Sequence, residues 1–482
     1  MRTLRQACQE DGILRKSILK MDIKIKMPPG AAFIIDELNK NGFEAYIVGG
    51  CVRDSLLGKR PHDWDITTSA TPYQVKDIFK KTVDTGLQHG TVTVLVDKAH
   101  SGNDEYAYEV TTYRVDGIYE DHRRPKEVTF SNSLEEDLKR RDFTINAMAY
   151  NDSEGVVDIF GGKDDLDKHL VRCVGVPSDR FDEDALRILR AVRFAAQLGF
   201  DIDEPTKEAM KNQARFLKDI SAERIREELT KLIISDNPGM LVTAYELGLT
   251  KVFLPEFDAM METPQHNPNH IYSVGIHTIK VMENVPKDVA LRYAALLHDV
   301  AKPSCKTTDE KGIDHFYKHP VVGSEMAQDI LKRLKFDNET IDRVTRLVLY
   351  HDYGIGGDLG ERSVRRFLAR LGTENFEDFI TIREADRLAQ SDYNQDKKAE
   401  NFKKLKAICE TVIEEKHCLK IADLAIGGKD LIELGMKPGK AMGDMLKYLL
   451  EEVLDEPKLN EKDKLIELVK RKSLSTGIKF PL

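Results

Sequence analysis

A chain of 482 residues exceeds one ordinary core and predicts three or four domains. Its hydrophobic fraction of 41% and charged fraction of 32% are those of a soluble globular protein, and no apolar run approaches the roughly 20 residues of a membrane helix. The formal net charge of −9 argues against a protein that coats nucleic acid indiscriminately, but leaves room for a local basic groove that grips one shaped RNA.

Residues 1–20 are mildly basic, without an apolar core or a small-residue cleavage site, so no secretory signal is read there. MDIKIKMP reads like a natural start and makes Met21 a candidate initiator. Cys8, Cys51, Cys173, Cys305, Cys409 and Cys418 are scattered without CxxC or metal spacing, the pattern of reduced thiols in a cytosolic protein.

Residues 30–41 have helical periodicity, and 44–49 form a short apolar strand ending at glycine. Within YIVGGCVRDSLLGKRPHDWDI (46–66), Gly49 and Gly50 lie where strand should pass into helix, so bare backbone N–H groups could face a phosphate, with Arg53 one turn on. Asp63 and Asp65, read as i and i+2 of a strand, project together. Two such carboxylates are unfavourable side by side unless a divalent cation sits between them, and a carboxylate-held metal pair serves in-line phosphoryl chemistry. GTVTVLVD (90–97) and YAYEVTTYRV (106–115) alternate like adjacent strands, which would set Glu109 beside the pair. Residues 111–130 are polar and glycine-containing, a mobile loop by composition.

From about residue 182 a period near 3.6 takes over, with breaks at 237–239, 262–269, 353–360 and 436–443. RFDEDALRILRAVRFAAQLGF (180–200) reads as one amphipathic helix, with Leu186, Leu189, Val192 and Ala196 on one side and Arg187, Arg190 and Arg193 on the other. The acceptor Asp184 beside the donor Arg187 could match the mixed edge of a base. Downstream, His277, His298, Asp299, His319, His351 and Asp386 fall on successive apolar helices, a set that suits a divalent or binuclear metal. Within the tail (418–471), KPGKAMG places N–H groups and two lysines at a helix start, suited to an RNA phosphate.

GGCVRDSLLG with DWD, LKRRDFTINAMAYN (138–151), DIFGGKDDL (158–166) and EDALR (183–187) resemble, in order and spacing, the motifs of class II tRNA nucleotidyltransferases, the CCA-adding enzymes, and the related bacterial poly(A) polymerases. The order H…HD…H…H…D resembles the HD phosphohydrolase superfamily, modules of which are fused to some CCA-adding enzymes. The resemblance implies an α+β protein: N-terminal extension (1–30), small α/β nucleotidyltransferase head (31–165), helical neck (166–255), HD domain (256–400) and helical tRNA-contacting tail (401–482). The activity it implies is template-independent addition of C, C and A from CTP and ATP to a tRNA 3′ end in the cytoplasm, with no DNA or membrane partner. Poly(A) polymerase or A-only addition is the alternative, and the resemblance of 111–130 to a flexible loop that switches C to A favours full addition.

By this resemblance Asp63, Asp65 and Glu109 are catalytic, the first two holding Mg²⁺. Gly49, Gly50, Arg53, Arg140, Arg141, Asp142, Asp184, Arg187, Arg190 and Arg193 would bind the nucleotide, with Asp184 and Arg187 reading its base. His277, His298, Asp299, His319, His351 and Asp386 would hold a further divalent metal, whether or not that centre is catalytic.

Overall fold

The computed structural model describes residues 24–101, 106–117, 119–120, 124–125, 128–354 and 359–476. The candidate start at Met21, Cys8, and parts of 111–130 and 353–360 lie outside the described residues. The chain divides into two compact units, Met1–Pro255 and Glu256–Leu482.

In the first unit, helix α1 (Pro29–Lys40) buries Ala31, Ile34, Ile35 and Leu38, one face at helical spacing, and starts on a proline whose fixed φ suits a first turn. Strand β1 (Ala45–Val48) is buried throughout, and α2 (Gly50–Leu56) follows it after the single residue Gly49. Next come β2 (Ile66–Thr68), β3 (Thr82–Gly86), β4 (Thr91–Val96), β5 (Tyr106–Thr112), α3 (Leu134–Lys139), β6 (Met148–Asn151) and β7 (Gly155–Asp158). The seven strands form one mixed sheet in the order β7-β6-β1-β2-β5-β4-β3. Its parallel neighbours are β2 and β5, with Ile66 opposite Val110; β1 runs antiparallel to β2 and β6.

Two expectations change here. Asp63 and Asp65 precede the strand rather than lie in it, but Val48 N–H still donates to the Asp65 carbonyl at 3.0 Å, so the ladder keeps them extended. Part of the loop read over 111–130 is paired: 111–112 end β5, and Arg114–Asp116 runs antiparallel to Val128–Phe130. Val115, Val128 and Thr129 supply β-branched residues to the paired segments.

The single helix read over 180–200 is two, α4 (Pro177–Glu183) and α5 (Leu186–Leu198). Asp184 is extended, at φ −140°, and its Oδ1 accepts from Leu186 N–H at 3.0 Å, capping the second helix. An aspartate that can satisfy an orphan helix N–H competes with helix continuation. Gly199 ends α5 at φ 71°, and α5 packs against α6 (Ala222–Ile233).

The second unit is helical: α7 (Val274–Asn284), α8 (Val289–Leu297), α9 (His319–Arg333), α10 (Asn338–Tyr350), α11 (Glu361–Leu371), α12 (Phe376–Ala389), α13 (Gln395–Glu414), α14 (Lys440–Asp455) and α15 (Lys462–Thr476). The tail belongs to the same compact unit, because Arg362 and Arg366 of α11 pair with Asp455 and Arg365 donates to the Leu454 carbonyl at 2.8 Å. Leu431, Leu449, Leu465 and Val469 form its own small core. Among the described residues no helix is long and apolar enough to cross a membrane, and the described cysteines are unpaired.

A candidate nucleotide site and a second histidine–aspartate centre

Gly49 has φ 79° and ψ −126°, a backbone that side chains disfavour, and turns β1 into α2 within one residue. A Cβ there would lie 3.0 Å from Arg141 Nη1, so the guanidinium approaches the glycine closely. Asp65, just before β2, and Glu109, in the middle of β5, are brought side by side by the Ile66–Val110 register. Partial desolvation raises the pKa of Asp65, Glu109 and Asp63 add like charge, and Arg141 opposes the rise. Crowded carboxylates of this kind fit a divalent cation. They are drawn less tightly than the second centre below, where alone among the described residues three ligand atoms come within 4.8 Å of one another.

Asp137, which sequence reading passed over, is fully buried and anchors the neighbouring arginines. It receives Arg140 at 2.8 and 3.0 Å, Arg141 at 3.2 Å and the Thr67 hydroxyl at 3.1 Å. Burial alone would raise its carboxyl; Arg141 and Arg140 outweigh this and hold it below the usual range. Its spacing of three and four residues from the two arginines was the available signal.

Asp142 is buried and its carboxylate is fully engaged: Oδ2 accepts from Arg190 at 2.8 and 2.5 Å, and Oδ1 from Asn146 at 3.1 Å and Phe143 N–H at 2.8 Å. Arg53 donates to the same Asn146 at 2.6 Å. A continuous polar chain therefore runs from Arg53 on α2 to Arg190 on α5. The guanidiniums of Arg53, Arg190 and Arg193 surround the Phe194 ring at 5.2, 5.3 and 3.9 Å from its centroid, another residue the motifs did not flag.

The arginines of α5 are not a solvated stripe. Arg193 is 8% exposed and paired with Glu228 at 2.5 Å; Arg187 is 9% exposed, paired with Glu183 at 2.5 Å and donating to the Arg140 carbonyl at 2.9 Å. Asp184 accepts from Arg224 of α6 at 2.7 Å. Asp184 and Arg187 thus meet at the start of α5, each held by a partner on a different element.

In the second unit His277, His298, Asp299, His319, His351 and Asp386 are each at most 7% exposed and converge. Asp299 faces both sides: Oδ2 is 3.1 Å from His298 Nε2 and 3.8 Å from His277, while Oδ1 is 3.3 Å from His319 and 3.6 Å from His351. His277 also meets Asp386 at 2.9 Å. The two tight triads are His277, His298, Asp386 and Asp299, His319, His351. Each Nδ1 of His298, His319 and His351 lies 2.7–2.8 Å from a backbone carbonyl, which turns every Nε2 inward.

Two features fit a metal there. His298 Nε2 and both Asp299 oxygens lack properly directed hydrogen-bond partners although close to each other, and the Nε2 atoms of His319 and His351 face each other at 3.2 Å. Asp352, not singled out from sequence although it adjoins His351, lies 3.1 Å from His319 and 3.5 Å from His351. His270 is a further addition, its ring 4.9 Å from that of His277; burial, with Lys302 nearby, pushes it down to about 3. A cavity of about 520 Å³ opens onto the centre, with Lys302 and Arg383 among its walls. Lys302 Nζ is 2.7 Å from Asp299, and Arg383 is 3.3 Å from Asp386.

A mixed sheet with a glycine turn, crowded carboxylates and an arginine-rich helical neck defines a nucleotidyltransferase architecture. Family profiles agree: residues 45–172 match the poly A polymerase head domain, 199–261 a "Probable RNA and SrmB- binding site of polymerase A", and 311–469 tRNA nucleotidyltransferase domain 2. The chain is similar to the CCA-adding enzyme of Lactobacillus helveticus, 36% identical over 445 residues that cover 92% of this chain and 96% of that one. It is also similar to the CCA-adding enzyme of Streptococcus agalactiae, 35% identical over 91% of this chain and 95% of the relative. The crystal structure of the Bacillus stearothermophilus CCA-adding enzyme in complex with CTP superposes with TM-score 0.66 at 29% identity, covering 94% of this chain and 100% of that one. The chain belongs to the CCA-adding enzyme family.

Proposed function

We infer that this protein is a tRNA nucleotidyltransferase that adds C, C and A to the tRNA 3′ end from CTP and ATP in the cytoplasm, releasing pyrophosphate. The observation that carries the reading is the crowding of Asp65 with Glu109 and Asp63 beside Gly49 and Arg141. Mg²⁺ held by these carboxylates would supply charge neutralisation at the triphosphate and activation of the attacking hydroxyl. The protein's own groups do the rest. Gly49 and Gly50 leave backbone room for phosphates, with Arg53 and Arg141 as cations. Arg140 works through the Asp137 anchor, and Asp142 holds Arg190 toward Phe194. Asp184 and Arg187 present acceptor and donor to the base, and Arg193 fixes α5 to α6 through Glu228.

A tRNA transcript lacking its 3′ CCA, with Mg²⁺ and labelled CTP and ATP, tests this. Three ordered additions that then stop are expected, and Asp63→Ala should lose several kcal/mol of transition-state stabilisation, roughly a thousandfold in rate. Unlimited A tails indifferent to CTP would instead establish the poly(A) alternative.

A second reading attaches to the second unit, carried by the inward-turned Nε2 atoms around Asp299. It is an HD-type centre holding a divalent metal, able to hydrolyse phosphate esters, with Lys302 and Arg383 as cations for phosphate in the cavity. His298→Ala should remove ester hydrolysis and leave CCA addition intact.

A further inference from the structure

We propose that the head carries a second RNA contact, a groove on the face of the sheet opposite the metal carboxylates, that binds a single-stranded phosphodiester segment and stacks one of its bases. The proposal does not depend on which nucleotides the enzyme adds.

Residues alternate across an extended chain, so Trp64, between Asp63 and Asp65, and Tyr108, next to Glu109, turn away from the acidic pair. They are 9% and 3% exposed and floor a groove of about 830 Å³, within the roughly 300–1,000 Å³ of ligand clefts. Tyr106 stands at its edge, 46% exposed, its ring 5.2 Å from that of Tyr108. The banks are cationic: Lys24 and Lys26 before α1, Lys59 and Arg60 after α2. All four are exposed and none forms an ion pair with a described residue, while no described acidic residue lines the groove.

In a chain of net charge −9, four cations without an ion-pair partner among the described residues, flanking an open aromatic ring, are a local inversion of charge. Cations that track a backbone with an aromatic on which a base stacks are the pattern of single-stranded nucleic-acid grooves. An acidic peptide would satisfy the lysines and the arginine but gives Tyr106 no planar partner, so RNA accounts for both halves of the lining.

Trp64 is the only tryptophan in the chain, so its fluorescence reports on this groove. The full chain is titrated with a short oligouridylate. Saturable quenching is expected, with affinity falling roughly 50-fold between about 50 and 200 mM salt if four phosphates are neutralised. Lys59→Glu with Arg60→Glu should weaken binding at least about tenfold, and Tyr106→Ala roughly 5- to 150-fold. Both variants should melt like the parent and add C to tRNA at the parent rate, and Asp184→Ala should keep the quenching. Quenching unchanged in both groove variants would overturn the proposal, as would no quenching at all. Equal quenching by oligoglutamate with no effect of Tyr106→Ala would also overturn it, because the groove would then read negative charge alone.

Discussion

Asp184, at the break between α4 and α5, accepts a hydrogen bond of 2.7 Å from Arg224 of α6, forty residues away in sequence. The carboxylate proposed to read the base is therefore held by a residue outside every recognised motif. Arg224→Ala should leave the Asp184 carboxylate held by the Leu186 N–H alone, cost roughly 1–3 kcal/mol of nucleotide selection, and raise misincorporation of GTP and UTP. Single-turnover incorporation of each nucleotide checks this; unchanged discrimination would make the pair purely structural.

The Asp142–Arg190 pair makes a pH prediction. Burial raises the Asp142 carboxyl, but Arg190, Arg187 and Asn146 outweigh it and hold it at about 2. A depressed acid stabilises the fold above its unfolded pKa, near 4, and loses that contribution as pH falls toward 2. Asp142→Asn should cost roughly 2 kcal/mol from pH 8 down to about 5, and the difference should shrink below about pH 4. Urea unfolding of parent and variant across that range measures it; a gap independent of pH would count against the charge pair.

Two glycines should separate stability from chemistry. Gly162 lies where a Cβ would fall 2.3 Å from the Thr144 carbonyl oxygen, a rigid backbone atom, so Gly162→Ala should lower the melting temperature most. Gly49→Ala meets a positive φ and the movable Arg141 tip, costing roughly 1–3 kcal/mol but reducing addition more than Gly162→Ala does per degree of melting lost.

The Asp299 oxygens, facing two histidine pairs, predict metal-linked stability in the second unit. Mn²⁺ or Ni²⁺ at about a hundred times its dissociation constant should stabilise the protein by about 2.7 kcal/mol, reversed by chelation and abolished in Asp299→Ala. Asp352→Ala should weaken the metal by roughly 10- to 100-fold without abolishing it. Thermal melts with and without metal decide between these outcomes.

The site motifs were legible because their chemistry is local: a glycine turn, two aspartates one residue apart, and histidines on apolar helices each keep their meaning over a few positions. The same holds for the strand pairs at 91–96 and 106–112, where alternation of side chains is itself the pairing signal.

What sequence alone determined, then, was which residue types would be gathered and the α/β-then-helical order that gathers them. Tertiary structure decided the partners. The arginines of α5 look solvated in a period of 3.6, but Arg187 and Arg193 are buried and Arg190 is only partly exposed, because Glu183, Glu228 and Asp142 arrive from other elements. Asp184 sits at a helix break because its side chain caps α5 while Arg224 holds it from α6. Asp137, Asp352 and the groove behind Trp64 were invisible for the same reason: a buried ion pair or a cleft is a relation between distant segments, and its energy exists only once folding has removed the intervening water.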